Sequence, residues 1–99
     1  MKHTINHVAV IGAGTMGSQI AAHFANNGFA CDLMDIVPSG VADNAGDAER
    51  NAISQGAIDR MRGTGARSPI YGPESADRIR VGNLTDHPDR LREADWIIE

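Results

Sequence analysis

Apolar and polar positions divide the start of the chain into a strand followed by a helix. Residues 8–11 form an unbroken apolar run, VAVI, which is typical of a parallel strand covered on both faces. The period then changes, because Met16, Ile20 and Phe24 recur every four residues, with Ala21 and Ala25 beside them, while polar residues occupy the opposite side. This spacing predicts an amphipathic helix over residues 15–27.

A second strand is predicted over residues 30–36, and it completes a β–α–β unit with a right-handed crossover. Asp32 lies in the middle of this stretch and fits poorly on a face covered by a helix. Cys31, the only cysteine, alternates into the same strand and is interpreted as a core residue rather than a nucleophile. Gly28 is expected to end the helix, because left-handed backbone costs glycine little.

The middle of the chain has a weaker pattern. Ser39 is a candidate cap for a second helix that runs to Arg62, although Gly46 and Gly56 interrupt it, each costing about 1 kcal/mol relative to alanine. The inward-facing positions of this helix are predicted to be Val41, Ala45, Ala48, Ala52, Ile53, Ile58 and Met61. Residues 63–72 are rich in glycine and are predicted to form a loop.

The last third of the chain predicts short elements. These are a helical turn over 73–78, a strand over 79–82, a short helix capped by Asp86 before Pro88, and a buried strand that starts at Trp96. With the β–α–β unit they predict an α/β fold, a Rossmann-type parallel sheet with flanking helices. A complete doubly wound sheet needs two such halves. We therefore expect residues 1–99 to be the N-terminal part of an incomplete dinucleotide-binding domain.

Composition narrows the classes of function. The chain has 99 residues, 41% of them hydrophobic, and a net charge of −4 with acids and bases interspersed, which does not favour nucleic acid or an anionic membrane surface as a partner. The longest apolar run is far shorter than the roughly 20 residues of a membrane-spanning helix. A single cysteine fits a reducing compartment, so a cytoplasmic protein is expected. The sequence is compatible with a homo-oligomer.

The histidines show no spacing typical of metal ligands, and no second cysteine joins them. They are His3, His7, His23 and His87. No metal site is therefore expected in the chain.

The turn GAGTMG, residues 12–17, matches the pattern G-x-G-x-x-G between a strand and a helix. Gly12 would allow the sharp turn, Gly14 the close approach of a pyrophosphate, and Gly17 the packing of helix against strand. The turn also includes Ala13, and the backbone N–H groups of Thr15 and Met16 are the expected hydrogen-bond donors. The pattern therefore predicts a dinucleotide site at residues 12–17.

Asp35 lies 18 residues after Gly17, at the end of the second predicted strand. An acid near this position binds the ribose hydroxyls of an adenosine and repels a 2′-phosphate. Ile36 and Val37 follow it, so no arginine lies nearby in the sequence to receive such a phosphate. The cofactor predicted from these residues is NAD rather than NADP.

Two other interpretations stay open at this point. The glycines of a G-x-G-x-x-G turn can be structural only, with Asp35 a solvated acid at a strand end. The same turn also occurs in FAD-binding flavoproteins and other NAD-dependent enzymes, and in nucleotide-binding modules that catalyse no reaction.

Several stretches together resemble the NAD-binding domain of the 3-hydroxyacyl-CoA dehydrogenases. They are VAVIGAGTMGSQIAAHFANNGF, the strand end LMDI, RIRVGN and ADWIIE. The combination of RIRVGN with ADWIIE is more specific than GAGTMG and is similar to forms fused to an enoyl-CoA hydratase. Residues 38–72 match least well.

The resemblance implies oxidation of a (3S)-3-hydroxyacyl-CoA to the 3-oxoacyl-CoA in fatty-acid β-oxidation, with a hydride passing to NAD. It places the pyrophosphate at residues 12–17 and the adenosine ribose at Asp35. The family's catalytic His–Glu pair matches no residue of this chain, so no catalytic residue is named. The resemblance also motivates a contact between a phosphate of coenzyme A and the cluster Arg60, Arg62 and Arg67, for which the alternative is a solvated helix end.

Overall fold

A computed structural model describes residues 5–62, 69–70 and 73–99 of the chain. Within them, four parallel strands form one sheet in the order β3-β2-β1-β4. The strands are β1 (His7–Ile11), β2 (Ala30–Asp35), β3 (Ile79–Asn83) and β4 (Trp96–Ile98). The helices are α1 (Thr15–Asn26), α2 (Asp47–Arg50), α3 (Ala52–Arg62), α4 (Pro73–Asp77) and α5 (Asp89–Glu93).

The strand order reverses direction at β1. From β1 the chain adds β2 and β3 on one side, and it then crosses to the other side to add β4. This is the arrangement of the first half of a doubly wound sheet, so the prediction of an incomplete Rossmann-type α/β fold is confirmed. In such sheets ligands bind beyond the carboxyl ends of the strands where the order reverses, which here is the end that carries the glycine turn.

The core lies between the sheet and the helices α1 and α3. Val8, Val10 and Leu33 are fully buried on this face of the sheet. The buried face of α1 consists of small residues, namely Ser18, Ala21, Ala22 and Ala25. Small side chains let α1 lie close against the strands, and this close packing brings the start of α1 directly to the end of β1.

One part of the prediction for α1 was wrong. Its bounds agree to within one residue, but Met16 is 76% exposed and does not belong to the buried face. Ile20 and Phe24 are half-buried and pack against the core, and Ala21 and Ala25, predicted beside them, are fully buried. The predicted apolar side of the helix is thus confirmed except at Met16, because the small residues of that side pack closest to the sheet.

The long helix predicted over residues 39–62 was also wrong in its first part. Residues 36–46 form turns without a helix or strand, and Gly40 has a φ of +86°, which an α-helix excludes. Two helices follow, α2 and α3, separated at Asn51. Ala48 and Ala52, predicted to face inward, are exposed, and Val41 and Ala45 are half-buried, whereas Ile58 and Met61 are buried as predicted.

The bounds of the later elements agree with the predictions with small changes. The last strand is not buried as predicted, because β4 lies at the edge of the described sheet, and Trp96 and Ile97 are 49% and 45% exposed. The predicted loop over 63–72 lies outside the described residues except for Pro69 and Ile70. The prediction that Asp86 caps the short helix was wrong. The N-cap residue of α5 is Pro88, and no side chain caps this helix end with a hydrogen bond. Asp86 has a different role, described below.

Asp32 is fully buried in the middle of β2. The Arg80 guanidinium donates to both of its carboxylate oxygens, at 2.6 and 3.1 Å, and the His7 imidazole contacts one of them. These partners explain how a strand position covered by protein accommodates an acid.

The neighbouring Cys31 is buried, which raises the pKa of its thiol to about 12, and this agrees with a core role.

The two ends of the described chain meet beside β1. The backbone N–H groups of Asn6 and His7 donate to the Asp95 carboxylate at 2.8 and 3.0 Å. In return the Asp95 N–H donates to the carbonyl oxygen of His7 at 2.8 Å, and β4 then pairs with β1.

Candidate functional site

The turn between β1 and α1 depends on two of its glycines for the fold itself. Gly12 has a φ of +105°, which favours glycine, and its N–H donates to the Met34 carbonyl oxygen at 2.8 Å. A Cβ atom on Gly17 would lie 1.8 Å from the carbonyl oxygen of Gly12. These two positions therefore join the first turn of α1 tightly to the end of β1.

Gly14 differs from both. Its backbone is extended, with φ −72° and ψ −174°, and no atom lies within 4 Å of where its Cβ would be. The fold of the described chain therefore does not itself require a glycine here. The absent side chain instead leaves open space in front of the helix start, which is what a ligand that approaches the backbone closely requires.

The N-terminus of α1 carries no side-chain cap and no acidic residue in its first turn. The Ser18 N–H already donates to the carbonyl oxygen of Gly14 at 2.9 Å. Helix geometry leaves the N–H groups of Thr15 and Met16 without partners inside the helix, and both residues are exposed. Together with the positive end of the helix dipole, these groups are suited to an anion such as a pyrophosphate.

The structure brings Asp35 directly to this turn. One of its carboxylate oxygens accepts a hydrogen bond from the Ala13 N–H at 2.7 Å, and the other accepts one from the Ile36 N–H at 2.7 Å. Ala13 itself is buried. The side chain of Asp35 thus fixes the ends of β1 and β2 relative to each other, and each oxygen retains a lone pair for a further donor.

A cavity of about 310 Å³ lies beside the same helix, between α1 and α3. It is lined by Thr15, Ser18, Gln19, Ala57, Arg60, Met61 and Pro69. Of the three arginines singled out from the sequence, Arg60 thus shares a cavity with the glycine turn. Arg62 is exposed at the end of α3, and Arg67 lies outside the described residues.

Sequence reasoning missed a polar network at the ends of β2 and β3, in which Arg50, Asn51 and Asn83 are buried and the Asp86 side chain is 31% exposed. The Arg50 guanidinium donates to both carboxylate oxygens of Asp86, at 2.6 and 2.8 Å. The hydrogen bond from Arg50, and then that from Asn83, lowers the pKa of the Asp86 carboxyl to about 2. The available signal for this network was the short spacing between Asn83, the last residue of the stretch RIRVGN, and Asp86.

A family model for the NAD-binding domain of 3-hydroxyacyl-CoA dehydrogenase matches residues 7–99. This chain belongs to that family. The assignment confirms the predicted family and the predicted cofactor, NAD. It also decides against the alternative of an FAD-binding flavoprotein.

Proteins similar in sequence to this NAD-binding domain carry consistent names. It is 37% identical over 107 residues to a probable 3-hydroxyacyl-CoA dehydrogenase of Bacillus subtilis, with 99% of this chain and 13% of the relative covered. It is 38% identical over 96 residues to a protein of the same name from Deinococcus radiodurans, with 96% and 25% covered. A putative fatty acid oxidation complex trifunctional enzyme of Rickettsia prowazekii is 33% identical, with 100% and 13% covered.

Solved structures give the same result. A 3-hydroxybutyryl-CoA dehydrogenase from Escherichia coli superposes with a TM-score of 0.65 at 25% identity, covering 96% of this chain and 18% of that one. The 3-hydroxybutyryl-CoA dehydrogenase from Ralstonia eutropha gives a TM-score of 0.54 at 25% identity, with 95% and 30% covered. The NAD-binding domain described here thus spans between 13% and 25% of the length of the curated relatives it matches.

The described part of the domain shows no cluster of three or more acidic, histidine or cysteine side chains that could hold a metal ion. Among the same residues, no helix has the length and apolarity needed to cross a membrane. The groups that the structure brings together at the site are the backbone N–H groups of the α1 start, the Asp35 carboxylate and Arg60 on the neighbouring cavity.

Proposed function

We propose that this chain holds NAD for a dehydrogenase that oxidises (3S)-3-hydroxyacyl-CoA to the 3-oxoacyl-CoA. The observation that carries the proposal is the uncapped start of α1, which faces open space at Gly14 and lies beside Asp35 in a domain of the NAD-binding family. NAD supplies the hydride acceptor when it is bound. The residues described here bind and orient the cofactor, and none of them is assigned to proton transfer.

Each residue of the site has a proposed role. Gly12 and Gly17 shape the turn, and the space at Gly14 admits the pyrophosphate, which accepts hydrogen bonds from the N–H groups of Thr15 and Met16. Ala13 positions the carboxylate of Asp35, which in turn accepts hydrogen bonds from the adenosine ribose. The charge of this carboxylate would repel the 2′-phosphate of NADP, which supports a preference for NAD.

Fatty-acid oxidation is the proposed context. It is supported by the similarity to trifunctional enzymes of a fatty acid oxidation complex in two Rickettsia species. A cytoplasmic location, inferred from the single cysteine, is part of the same proposal.

The test compares Gly14→Val with Gly46→Val in the intact protein that contains this chain. Both glycines are helix N-caps with extended backbone, and at both an added Cβ atom would meet nothing within 4 Å, so the two substitutions are matched in their local structural cost. We expect Gly14→Val to weaken NADH binding by roughly 100-fold or more, because the valine fills the space for the pyrophosphate. Gly46→Val should retain the affinity of the unmodified protein.

NADH fluorescence titration gives the affinities, and urea unfolding shows whether both variants fold. Tight NADH binding by Gly14→Val would contradict the site. Oxidation of NADH that depends on a 3-oxoacyl-CoA tests the reaction itself. Binding of NADH without such turnover would favour a nucleotide-binding module that catalyses no reaction.

For the acyl-CoA substrate, the arginines near α3 are the proposed contacts with a phosphate of coenzyme A. The position of Arg60 on the cavity beside the glycine turn supports this proposal. Replacing Arg60, Arg62 and Arg67 together with alanine should raise the KM for acyl-CoA and leave the KM for NAD unchanged. An unchanged KM for acyl-CoA would contradict the contact.

A further inference from the structure

The buried network around Arg50 lies next to the proposed ribose site. Arg50 is only 5% exposed, and its guanidinium forms a two-pronged pair with Asp86. A third hydrogen bond, of 2.9 Å, joins its Nη1 atom to the carbonyl oxygen of Ala42. Arg50 therefore links the turn after β3 to the segment of residues 36–46, which we call the post-β2 segment.

Asn83 joins this pair to the sheet. Its side chain is completely buried, and its amide oxygen accepts hydrogen bonds from the N–H groups of Thr85 and Asp86 at 3.0 and 2.7 Å. Its amide nitrogen donates to Asp86 at 3.0 Å and to the Asn51 side chain at 2.7 Å. Because the side-chain donors and acceptors of Asn83 are used, the network has one well-defined arrangement.

The network is connected to Asp35 in two ways, through the sheet and along the chain. In the sheet, Asp35 is the register partner of Asn83, and the Leu84 N–H donates to the carbonyl oxygen of Asp35 at 3.0 Å. Along the chain, Asp35 leads directly into the post-β2 segment, whose Ala42 is held by Arg50. One guanidinium thus joins the post-β2 segment, which follows the proposed ribose-binding acid, to the turn after β3, whose Leu84 N–H contacts the backbone of that acid.

The segment itself offers little regular structure to hold its position. Its backbone hydrogen bonds include local turns, from the Val41 N–H to Pro38 and from the Ala45 N–H to Ala42. Such turns shape the segment but do not attach it to the sheet. Arg50 provides that attachment, because its other two donors reach the turn after β3.

We infer that Arg50 is a positioning residue for the adenosine end of the cofactor site, with Asp86 as the carboxylate that fixes it. By holding the post-β2 segment against the end of β3, it sets the place and direction of Asp35 and of Ile36. This inference rests on the proposed role of Asp35 in binding the ribose. It assigns no contact between Arg50 and the cofactor, since the guanidinium is already occupied by protein groups.

The positioning role of Arg50 predicts different effects on the binding of the two ends of the cofactor. Loss of Arg50 should loosen the site for adenosine monophosphate but not the site for nicotinamide mononucleotide, because the latter lies toward the other side of the switch in strand order. A general loss of structure would weaken both fragments together. Inhibition by the two fragments therefore distinguishes positioning from simple stabilisation.

The experiment uses Arg50→Gln, Arg50→Lys and Asp86→Asn in the intact protein, with Arg92→Gln as the matched control. Arg92 forms an exposed pair with Asp89 at 3.7 Å and lies far from the post-β2 segment in sequence. We expect Arg50→Gln to raise the KM for NAD and the inhibition constant of adenosine monophosphate by roughly 10-fold. The kcat at saturating NAD and the inhibition constant of nicotinamide mononucleotide should change less than twofold.

Arg50→Lys keeps the positive charge but lacks the planar guanidinium that donates to both Asp86 oxygens. We therefore expect its KM for NAD and its inhibition constant for adenosine monophosphate to lie between those of the unmodified protein and Arg50→Gln. If Arg50→Gln does not fold, the near-isosteric Asp86→Asn and the lysine variant decide the question by the same two inhibition constants. Equal changes in the inhibition constants of adenosine monophosphate and nicotinamide mononucleotide, or no change in either constant, would overturn the inference.

Asp35→Ala is included to separate this inference from the proposed function. If Asp35→Ala leaves the affinity for NADH and its preference over NADPH unchanged, the ribose site itself is wrong. If Asp35→Ala weakens NADH binding and the Arg50 variants do not, only the positioning role is wrong.

Discussion

The β1–α1–β2 unit, residues 7–35, and the residues 36–62 that follow it are specified by different kinds of interaction. In the first region the bounds of the predicted helix and strands agree with the structure to within one residue. In the second, a helix predicted over 39–62 is replaced by turns and two separate helices. The apolar pattern of the sequence thus describes one region well and the other poorly.

The difference lies in where the decisive contacts come from. In the first region the backbone conformation of Gly12 and the contact of Gly17 with Gly12 act over five residues. In the second region, Arg50 binds a carboxylate 36 residues further along the chain. Local patterns reveal the first kind of contact, whereas a pair between a buried arginine and a distant carboxylate has no signature in the spacing of apolar side chains.

The largest effect that tests this comparison is expected from Gly17→Ala. The added Cβ would lie 1.8 Å from a backbone oxygen, so the turn and the start of α1 must separate. We expect a loss of about 3 kcal/mol in the free energy of unfolding, from overpacking against backbone that cannot yield. Urea unfolding measures it, with Gly46→Ala, which meets no atom within 4 Å, as the control. Equal stabilities of the two variants would show that the turn adapts.

An intermediate effect is expected from Asp32→Asn, which tests a distant polar contact inside the predictable region. The substitution keeps the shape but weakens the charge-assisted hydrogen bonds from Arg80. We expect a loss of about 2 kcal/mol in unfolding free energy. Asp89→Asn, on an exposed pair, should cost no more than about 0.5 kcal/mol. If Asp32→Asn and Asp89→Asn lose the same unfolding free energy, the buried contact of Asp32 with Arg80 does not stabilise β2.

The smallest effect concerns the pH dependence of the second region. Asp86 has a pKa of about 2 in the folded protein against an ordinary value of 3.8, because Arg50 and then Asn83 donate to it. A lowered folded pKa means that the pair stabilises the fold above about pH 4 and loses this contribution as the pH falls toward 2. The difference in urea midpoint between the unmodified protein and Asp86→Asn should shrink over that interval. A constant difference would contradict the pairing.

The candidate site could be predicted in part, because some of its residues have local sequence signals and others depend on contacts between distant residues. The glycines and Asp35 were found because a tight turn and a strand end carry strong local signals. The hydrogen bond from the Ala13 N–H to Asp35 was not predicted, since it joins the turn after β1 to the end of the neighbouring strand β2, 22 residues further along the chain. The exposure of Met16 was missed because its hydrophobicity favours burial, whereas the packing of α1 through alanines decides which side faces the sheet.

The meeting of the two chain ends beside β1 has a consequence for the order of folding. The hydrogen bond from Asn6 to Asp95 spans 89 residues, and the pairing of β1 with β4 closes a loop of similar length. Among the described strands, β1 and β2 are synthesised one after the other and pair across a short crossover, whereas the strand on the other edge of β1, residues 96–98, is synthesised after all of them. Closing so long a loop is entropically slow. Of the four described strands, β1 is therefore synthesised first, yet both of its edges are paired only after β4 has been synthesised.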